Sequence, residues 1–508
     1  MFFTVCGCFA LSWSLFLILR YKYHSSSPLP PGPAGSLPIL GVLRIHPKTE
    51  FWKTYSEWAK RYGPGGLISF HLLGRRIIVV QTKAVADDLF TKRSSCYSDR
   101  PFPPMSGKLM KREKSMFYIS YNERCKMYRK LMQQVLNSSA SQAYWTIEEE
   151  AAKYTVNKVL ESPEKLFQHL RRNAAFIIMK VAYGYTISDY NDHFVAIAED
   201  AMRIGSLVAA PGKWLVDSLP ILRFLPDWFP GAGFKRQAKA WSEHMYLQSL
   251  EPHVWVKDQM VKGSAVPSFT SNLLQDANGA VTTDKELDDV VLWTAGALYA
   301  AGADTTVSAM RTFLFCMLMY PSVQEKAHAE LDRFVEDERR LPTLKDWSQG
   351  ALPYLTSILL EVLRWHPPAP MGLFHSAAHD DIYKGYLIPA KTTIIGNIWG
   401  MMHDESVYPN PDVFDPDRFT GIDGRKVEED PRQVVFGFGR RVCPGLYVAE
   451  ASIWIQMALM LACLRIEKAA DEHGRVLEPE VAFTTAIVSY VKPFPYRIVT
   501  RRGVELLN

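Results

Sequence analysis

Cysteine is scarce in this chain: seven in 508 residues, an odd number, widely scattered as Cys6, Cys8, Cys96, Cys125, Cys316, Cys443 and Cys463. No two are spaced as zinc ligands, so a disulfide scaffold and a structural zinc site are excluded and a reducing compartment is favoured. Excess charge is missing as well. Fifty-eight Lys and Arg against 53 Asp and Glu leave a net +5, too little for a nucleic-acid footprint. No period of 20 to 50 residues recurs, which excludes a solenoid. With 48% hydrophobic and 22% charged residues, the composition is that of a globular protein with a sizeable core.

One stretch lacks charge altogether. Phe2 to Leu19 is uninterrupted by any ionisable acid or base, and 18 helical residues reach roughly 27 Å, enough for a bilayer core. Arg20, Lys22 and His24 follow at once, which places the remainder on the cytosolic side. The alternative, a cleaved secretory signal, lacks a basic leader and a small-residue cleavage site. Residues 1–24 are therefore expected to be an anchor, 25–36 a proline-rich hinge built on Pro28-Leu29-Pro30-Pro31-Gly32-Pro33, and 37–508 the working domain. In that topology the glycosylation acceptor Asn137-Ser138-Ser139 faces cytosol and stays unmodified.

Beyond the hinge, the periodicity predicts an amphipathic helix over Phe51 to Tyr62. Strands over Leu67 to Phe70 and Arg76 to Val80 pair across Gly74, and a long helical stretch follows. The fold class is mostly α with small β-sheets. Two surfaces admit two readings each. Trp214 to Phe229 is apolar and proline-broken, either core or a second dip into the membrane interface. Gly107 to Lys130 carries eight Lys or Arg against Glu113 and Glu123, either a solvated face or a dock for an acidic partner.

The densest chemical signal is Phe436-Gly437-Phe438-Gly439-Arg440-Arg441-Val442-Cys443-Pro444-Gly445. Glycines let a backbone turn tightly and aim N–H groups at a sulfur, and nearby arginines favour its thiolate. A single cysteine cannot hold zinc, so a metal here must bring its other ligands, as haem iron does. Taken alone, Cys443 also reads as a small buried hydrophobe. Upstream, the apolar helical run Val290 to Tyr320 contains Ala301-Gly302-Ala303-Asp304-Thr305-Thr306. Gly302 opens a groove there, Thr305 offers a hydroxyl and Asp304 a proton; the plainer reading is a bend with Thr hydroxyls bonded back to the preceding turn. Glu361 and Arg364 share a face of another apolar helix, and Arg418 in Phe414-Asp415-Pro416-Asp417-Arg418-Phe419 offers a third member of a buried network.

The ordered set of anchor, proline hinge, A-G-A-D-T-T, E-x-x-R, P-D-R-F and F-G-F-G-R-R-V-C-P-G resembles a membrane-bound cytochrome P-450 over essentially the whole chain. Leu225 to Phe234 and Asp430-Pro431-Arg432 resemble fungal members of secondary metabolism. The resemblance implies the cytochrome P-450 fold, a thiolate-ligated haem b, electrons from NADPH through a cytochrome P-450 reductase with cytochrome b5 as a further partner, and an endoplasmic-reticulum membrane location. It implies Cys443 as axial iron ligand, and Asp304 with Thr305 as the proton-relay pair. Arg129, His375 and Arg441 become propionate partners, with Phe436 in the cofactor loop, and Glu361, Arg364 and Arg418 the structural triad. One departure stands out: where the family pattern reads W-R-x-x-R, this chain has Cys125, Lys126 and Arg129.

The expected activity is haem-thiolate monooxygenation of a small apolar substrate. An O2-independent isomerase or dehydratase and a membrane haem sensor are the competing classes. Candidate pocket walls by family topology are 102–118, 202–208, 293–301, 370–374 and 483–488, mostly apolar, with no clear lysine or arginine at their inner positions to clamp a carboxylate apart from Arg203. They favour a terpenoid or polycyclic intermediate over an aromatic alkaloid such as an indole.

Overall fold

A computed structural model describes residues 27–35, 40–188, 192–209, 212–276 and 279–507; the anchor segment 1–24 lies outside them. The longer helices are α1 (Phe51–Tyr62), α2 (Glu123–Leu136), α3 (Trp145–Glu161), α4 (Leu166–Tyr183), α5 (His193–Ala209), α6 (Gly233–Val261), α7 (Lys285–Met319), α8 (Pro321–Glu338), α9 (Pro353–Trp365) and α10 (Leu446–Cys463). Strands β1 (Leu67–Leu72), β2 (Arg75–Val80), β3 (His375–Ser376) and β6 (Thr393–Gly396) form one sheet in the order β1-β2-β6-β3. Two further antiparallel pairs stand among the described residues: the hairpin β4 (Asp381–Tyr383) with β5 (Tyr386–Ile388), and β7 (Leu464–Glu467) with β8 (Arg497–Thr500) across a long connection.

The first elements follow the sequence pattern closely. Helix α1 buries Phe51, Trp52, Tyr55 and Ala59, one face at helical spacing. The β1–β2 turn needs two residues at positive φ, and Leu73 (50°) and Gly74 (77°) supply them. The sheet is mixed, because β6 runs parallel to β2 although more than 300 residues separate them in the chain. The described part of the proline segment runs between this sheet and the β4–β5 pair. Ser69 N–H donates to Pro31 O at 2.8 Å and Leu387 N–H to Pro28 O at 2.8 Å. At Gly32 a Cβ would come within 1.9 Å of Ser69 O, so only glycine permits that approach.

Helix α7 is the axis of the molecule. Asp284 caps it by accepting from the N–H groups of Glu286 and Leu287, and Pro321 opens the next helix two residues past its end. From Val290 to Leu318 it is almost wholly buried, against α4, α6 and α10 among others. Met310, Phe313, Leu314 and Phe315 join Leu355 and Leu359 of α9 and Trp454, Met457 and Leu461 of α10 in the main core. Each such side chain, fully buried, contributes about 1.5–3 kcal/mol. Helix α10 is long and apolar enough to cross a bilayer, with a mean hydropathy of 1.6, yet it is buried in this core rather than lipid-facing. The hydropathy reflects a helix surrounded on every side by protein.

Candidate functional site

The cysteine loop is built around backbone turns. Gly437 (φ 78°) and Gly439 (φ 52°) lie in the left-handed region, and a Cβ on Gly439 would meet Phe90 O at 2.1 Å. Cys443 N–H donates to Phe436 O at 2.7 Å, closing the loop immediately before α10. Phe436 is half-buried against the core that contains α10. The electrostatics of the sulfur differ from the expectation. Arg440 is exposed over the Tyr121 ring, 5.1 Å away, and Arg441 turns inward to Ser98 O and Ile119 O. Burial pushes the Cys443 thiol up, opposed by the Gly445 backbone N–H and the Arg129 charge. Arg129, rather than the two loop arginines, is the cation that acts on the sulfur, and it donates to Val442 O at 2.9 Å. A coordinated metal ion is what would hold such a buried sulfur as thiolate.

Beside the loop, buried cations converge. Arg129 of α2, Arg441 and Arg100 all have guanidinium pKa values lowered by burial, and Arg129 lies close enough to both others to depress each further. Arg100 is depressed to about 9, and its Nε has no partner; its Nη1 donates to Leu373 O and Phe374 O at 2.6 and 2.8 Å. Among the described residues these arginines meet backbone carbonyls and no carboxylate. Asp99, nearby, accepts from Tyr121 N–H. His375 is 8% exposed and stacks on Phe90, with Nδ1 2.7 Å from Tyr97 O. Desolvation and the charges of Arg100 and Arg441 hold its pKa well below the ordinary value. A pair of carboxylates laid among these groups would meet three guanidinium donors and would raise the imidazole's affinity for a second proton. The donor set therefore fits the two propionates of a haem. Arg100, absent from the sequence reading, belongs to it. Its signal was weak because no motif surrounds it, only Asp99 and Pro101.

Cys125 is fully buried, and Arg441, Arg129 and Arg100 each act on its thiol, so it occupies the edge of this cluster. Lys126 points elsewhere: its Nζ pairs with exposed Glu123 at 2.6 Å. The family's tryptophan and first arginine thus have no donor of comparable strength at these two positions.

On α7, Ala301 is exposed and Thr305 half-buried within an otherwise buried helix, which leaves a notch at Gly302. Thr305 Oγ1 donates back to Ala301 O at 3.0 Å, the plainer of the two sequence readings, so its hydroxyl is satisfied within the helix. Asp304 is half-buried; desolvation, offset by Arg171, raises its carboxyl to about 6.

The third constellation is closed and buried. Arg364 and Glu361 make two bonds of 2.7 Å, both side chains at 0% exposure, and Glu361 also accepts from Asp415 N–H at 2.8 Å. Arg418 Nε stands 3.4 Å from Glu361 without a hydrogen bond, while its Nη groups bind Asn410 O and Glu428. Arg364 reaches Met402 O and Val413 O, so the network ties α9 to the loop that leads toward Cys443. Breaking one partner of such a pair typically costs about 3–5 kcal/mol.

Two surface expectations need correction. The basic run does not form one face: Lys114 and Arg124 both pair with Asp289, Lys108 pairs with Glu113, and Arg112 packs on Tyr118 and Met245. Outward beside the cysteine loop stand Lys130 and Arg440, with Lys126 exposed but paired with Glu123. Arg203 is no pocket cation either; it is exposed and pairs with Asp200.

A glycine loop presenting one cysteine beside a cluster of buried arginines fits a haem-thiolate protein. The comparisons agree. Residues 30–490 match the cytochrome P450 family model. Cytochrome P450 monooxygenase 208 from Postia placenta is 39% identical over 489 residues, 96% of this chain and 93% of the relative. Cytochrome P450 monooxygenase claR from Ampulloclitocybe clavipes is 39% identical over 490 residues, 96% and 89% of the two chains. Cytochrome P450 monooxygenase 105 from Postia placenta is 35% identical over 480 residues, 94% and 90%. The chain belongs to the cytochrome P450 family. It is a haem-thiolate oxidoreductase of the oxygen-incorporating kind, with fungal relatives.

Proposed function

We propose that this enzyme hydroxylates a small apolar secondary metabolite, a terpenoid or polycyclic intermediate, with an aromatic alkaloid such as an indole as the second reading. The observation that carries the catalytic assignment is the convergence of Arg100, Arg129 and Arg441 beside the Cys443 loop with no carboxylate among the described residues to receive them. When bound, a thiolate-ligated haem supplies O2 activation, placing one oxygen in a C–H bond while the other leaves as water. In this reading Cys443 ligates iron, and Arg129 screens its sulfur. Arg100, Arg129, Arg441 and His375 hold the propionates, and Phe436 shields the sulfur side of the loop. Thr305 rotates its hydroxyl from Ala301 O into the notch, and Asp304 supplies protons to it. Glu361, Arg364 and Arg418 keep the loop in place. The substrate preference rests on the apolar character of the segments assigned to the pocket and on the displacement of Arg203 from it.

Electrons come from NADPH through a reductase, with cytochrome b5 as a further donor. Lys130 and Arg440 form the basic surface an acidic partner would meet beside the cysteine loop. Residues 1–24 anchor the chain in the endoplasmic reticulum membrane, and the Trp214–Phe229 segment dips into its cytosolic face. Supporting the latter, Leu215, Ile221, Phe224 and Trp228 are each at least 68% exposed.

The test is spectroscopic. The reduced, CO-bound parent should show the red-shifted Soret band of thiolate ligation, and Cys443→Ser should lose it; retention of the band would refute the ligand. Reconstituted with reductase and NADPH, the parent should convert members of a terpenoid panel to products 16 mass units heavier. Conversion confined to indoles would establish the second reading.

A further inference from the structure

Asp304 lines a small cleft of about 20 Å3 between α4, α5 and α7. None of the residues around it belongs to the arginine cluster or the cysteine loop. Arg171 of α4, Glu199 and Met202 of α5, and Tyr299 of α7 share its walls with Asp304. Arg171 and Glu199 pair at 3.5 Å, and their side chains are 50% and 47% exposed, so both reach solvent. Asp304 is half-buried, and among the described residues no donor reaches its carboxylate; Tyr490 bonds only its backbone carbonyl. One charged pair in contact with water thus stands over one unpartnered carboxyl, across a space large enough for water.

Each element around the cleft contributes a known charge. Arg171 draws the Asp304 carboxyl toward its ionised form and Glu199 opposes that. Tyr299 is itself held neutral by burial and by Glu199 among others. Arg311, further along α7, lies over the Phe167 and Tyr490 rings at 4.4 and 5.4 Å and is repelled by Arg171.

We propose that Glu199 and Arg171 are positioning residues for proton uptake, Glu199 relaying protons from solvent to Asp304 and Arg171 dividing its charge between the two carboxylates. The step is a proton transfer alone. A solvent hydronium protonates Glu199 and weakens its pairing. The Glu199 O–H bond then breaks as an O–H bond to Asp304 forms through water in the cleft, and the Glu199 carboxylate pairs again with Arg171. No electron moves. Burial of Asp304 favours the protonated product, consistent with a carboxyl that titrates at about 6. The proposal rests on the reading of Asp304 and Thr305 as the proton-supplying pair.

The experiment is an infrared pH titration of the ferric holoenzyme, using the protonated-carboxyl band that Asp304→Asn removes. Arg171→Gln should raise the midpoint and Glu199→Gln lower it, each by about half a pH unit. In turnover, the pH at which coupling of NADPH to product declines should move the same way in each variant, and Glu199→Asp should restore the parent profile. Unmoved midpoints in both variants would overturn the proposal, as would a Glu199→Gln coupling profile identical to the parent's. The infrared readout needs no turnover, so it stands apart from any failure of the oxygenation reading itself.

Discussion

At the scale of single residues, the site divides into groups paired inside the protein and groups left for something else. Glu361 and Arg364 are complete in themselves. Arg100 is not: it is buried, its Nε is unpartnered, and two other arginines stand near it. A hydrogen bond to a charged group is worth about 1.5–3 kcal/mol. Arg100→Gln should therefore weaken haem retention by roughly 10- to 100-fold, read as the haem-to-protein ratio after gel filtration and dilution. An unchanged ratio would remove Arg100 from the cofactor's partners. Asp304 makes a different claim. Its carboxyl is raised from 3.8 to about 6, so the folded protein binds that proton more tightly than the unfolded chain does. The sign is then a penalty: absent below about pH 4, growing between 4 and 6, and full above 6. Asp304→Asn should accordingly stabilise the fold by about 1–2 kcal/mol at pH 7.5 and by little at pH 4. Thermal unfolding at the two pH values decides it, and equal effects at both would show that burial does not govern this carboxyl.

Among the helices, α7 is where sequence pattern and structure agree most and also where they part. Its apolar run, its end before Pro321 and its notch at Gly302 were legible, because a continuous hydrophobic stretch and a glycine carry their own geometry. The use of a second glycine was not. A Cβ at Gly296 would fall 2.0 Å from Ser249 Oγ on α6, whereas one at Gly302 would meet only the Ile178 side chain at 3.1 Å. Crossing contacts of this kind depend on which helix arrives, which one chain's pattern does not state. Gly296→Ala should destabilise by about 1–3 kcal/mol through overpacking, more than the roughly 1 kcal/mol that alanine gains in helix propensity. Gly302→Ala should be close to neutral in stability. Denaturant midpoints measure both, and the reverse order would mean α6 yields more easily than Ile178. The basic run that leads into α2 shows the same limit in charge: it was visible, but Asp289, more than 150 residues later, was needed to see Lys114 and Arg124 neutralised.

For the molecule as a whole, an exposed apolar edge stands outside the mixed sheet and the core around α7 and α10. Leu219, Ile221, Phe224 and Trp228 together leave more apolar surface outward than scattered single residues would, and Arg75 ties the edge to the sheet through Asp217. A chain beginning at residue 27 should still bind vesicles of neutral lipid, and replacing Ile221, Phe224 and Trp228 by serine should reduce that binding at least tenfold. Full solubility of the shortened parent would show that the edge has no affinity for lipid. The composition of this edge was readable from residue types alone; its exposure was not, because an apolar run between prolines is equally at home in a core.

The arginine cluster also bears on how the protein comes to exist. Three guanidinium groups crowded into a poorly solvated space beside a neutral imidazole repel one another, so an anion bound among them would favour the folded form. Anything that binds the folded form alone draws the chain toward it in proportion to its free concentration. Cells short of haem should therefore accumulate little of this polypeptide, most of it degraded or aggregated rather than stored as an empty enzyme, and yield in a heterologous host should follow porphyrin supply more closely than messenger level.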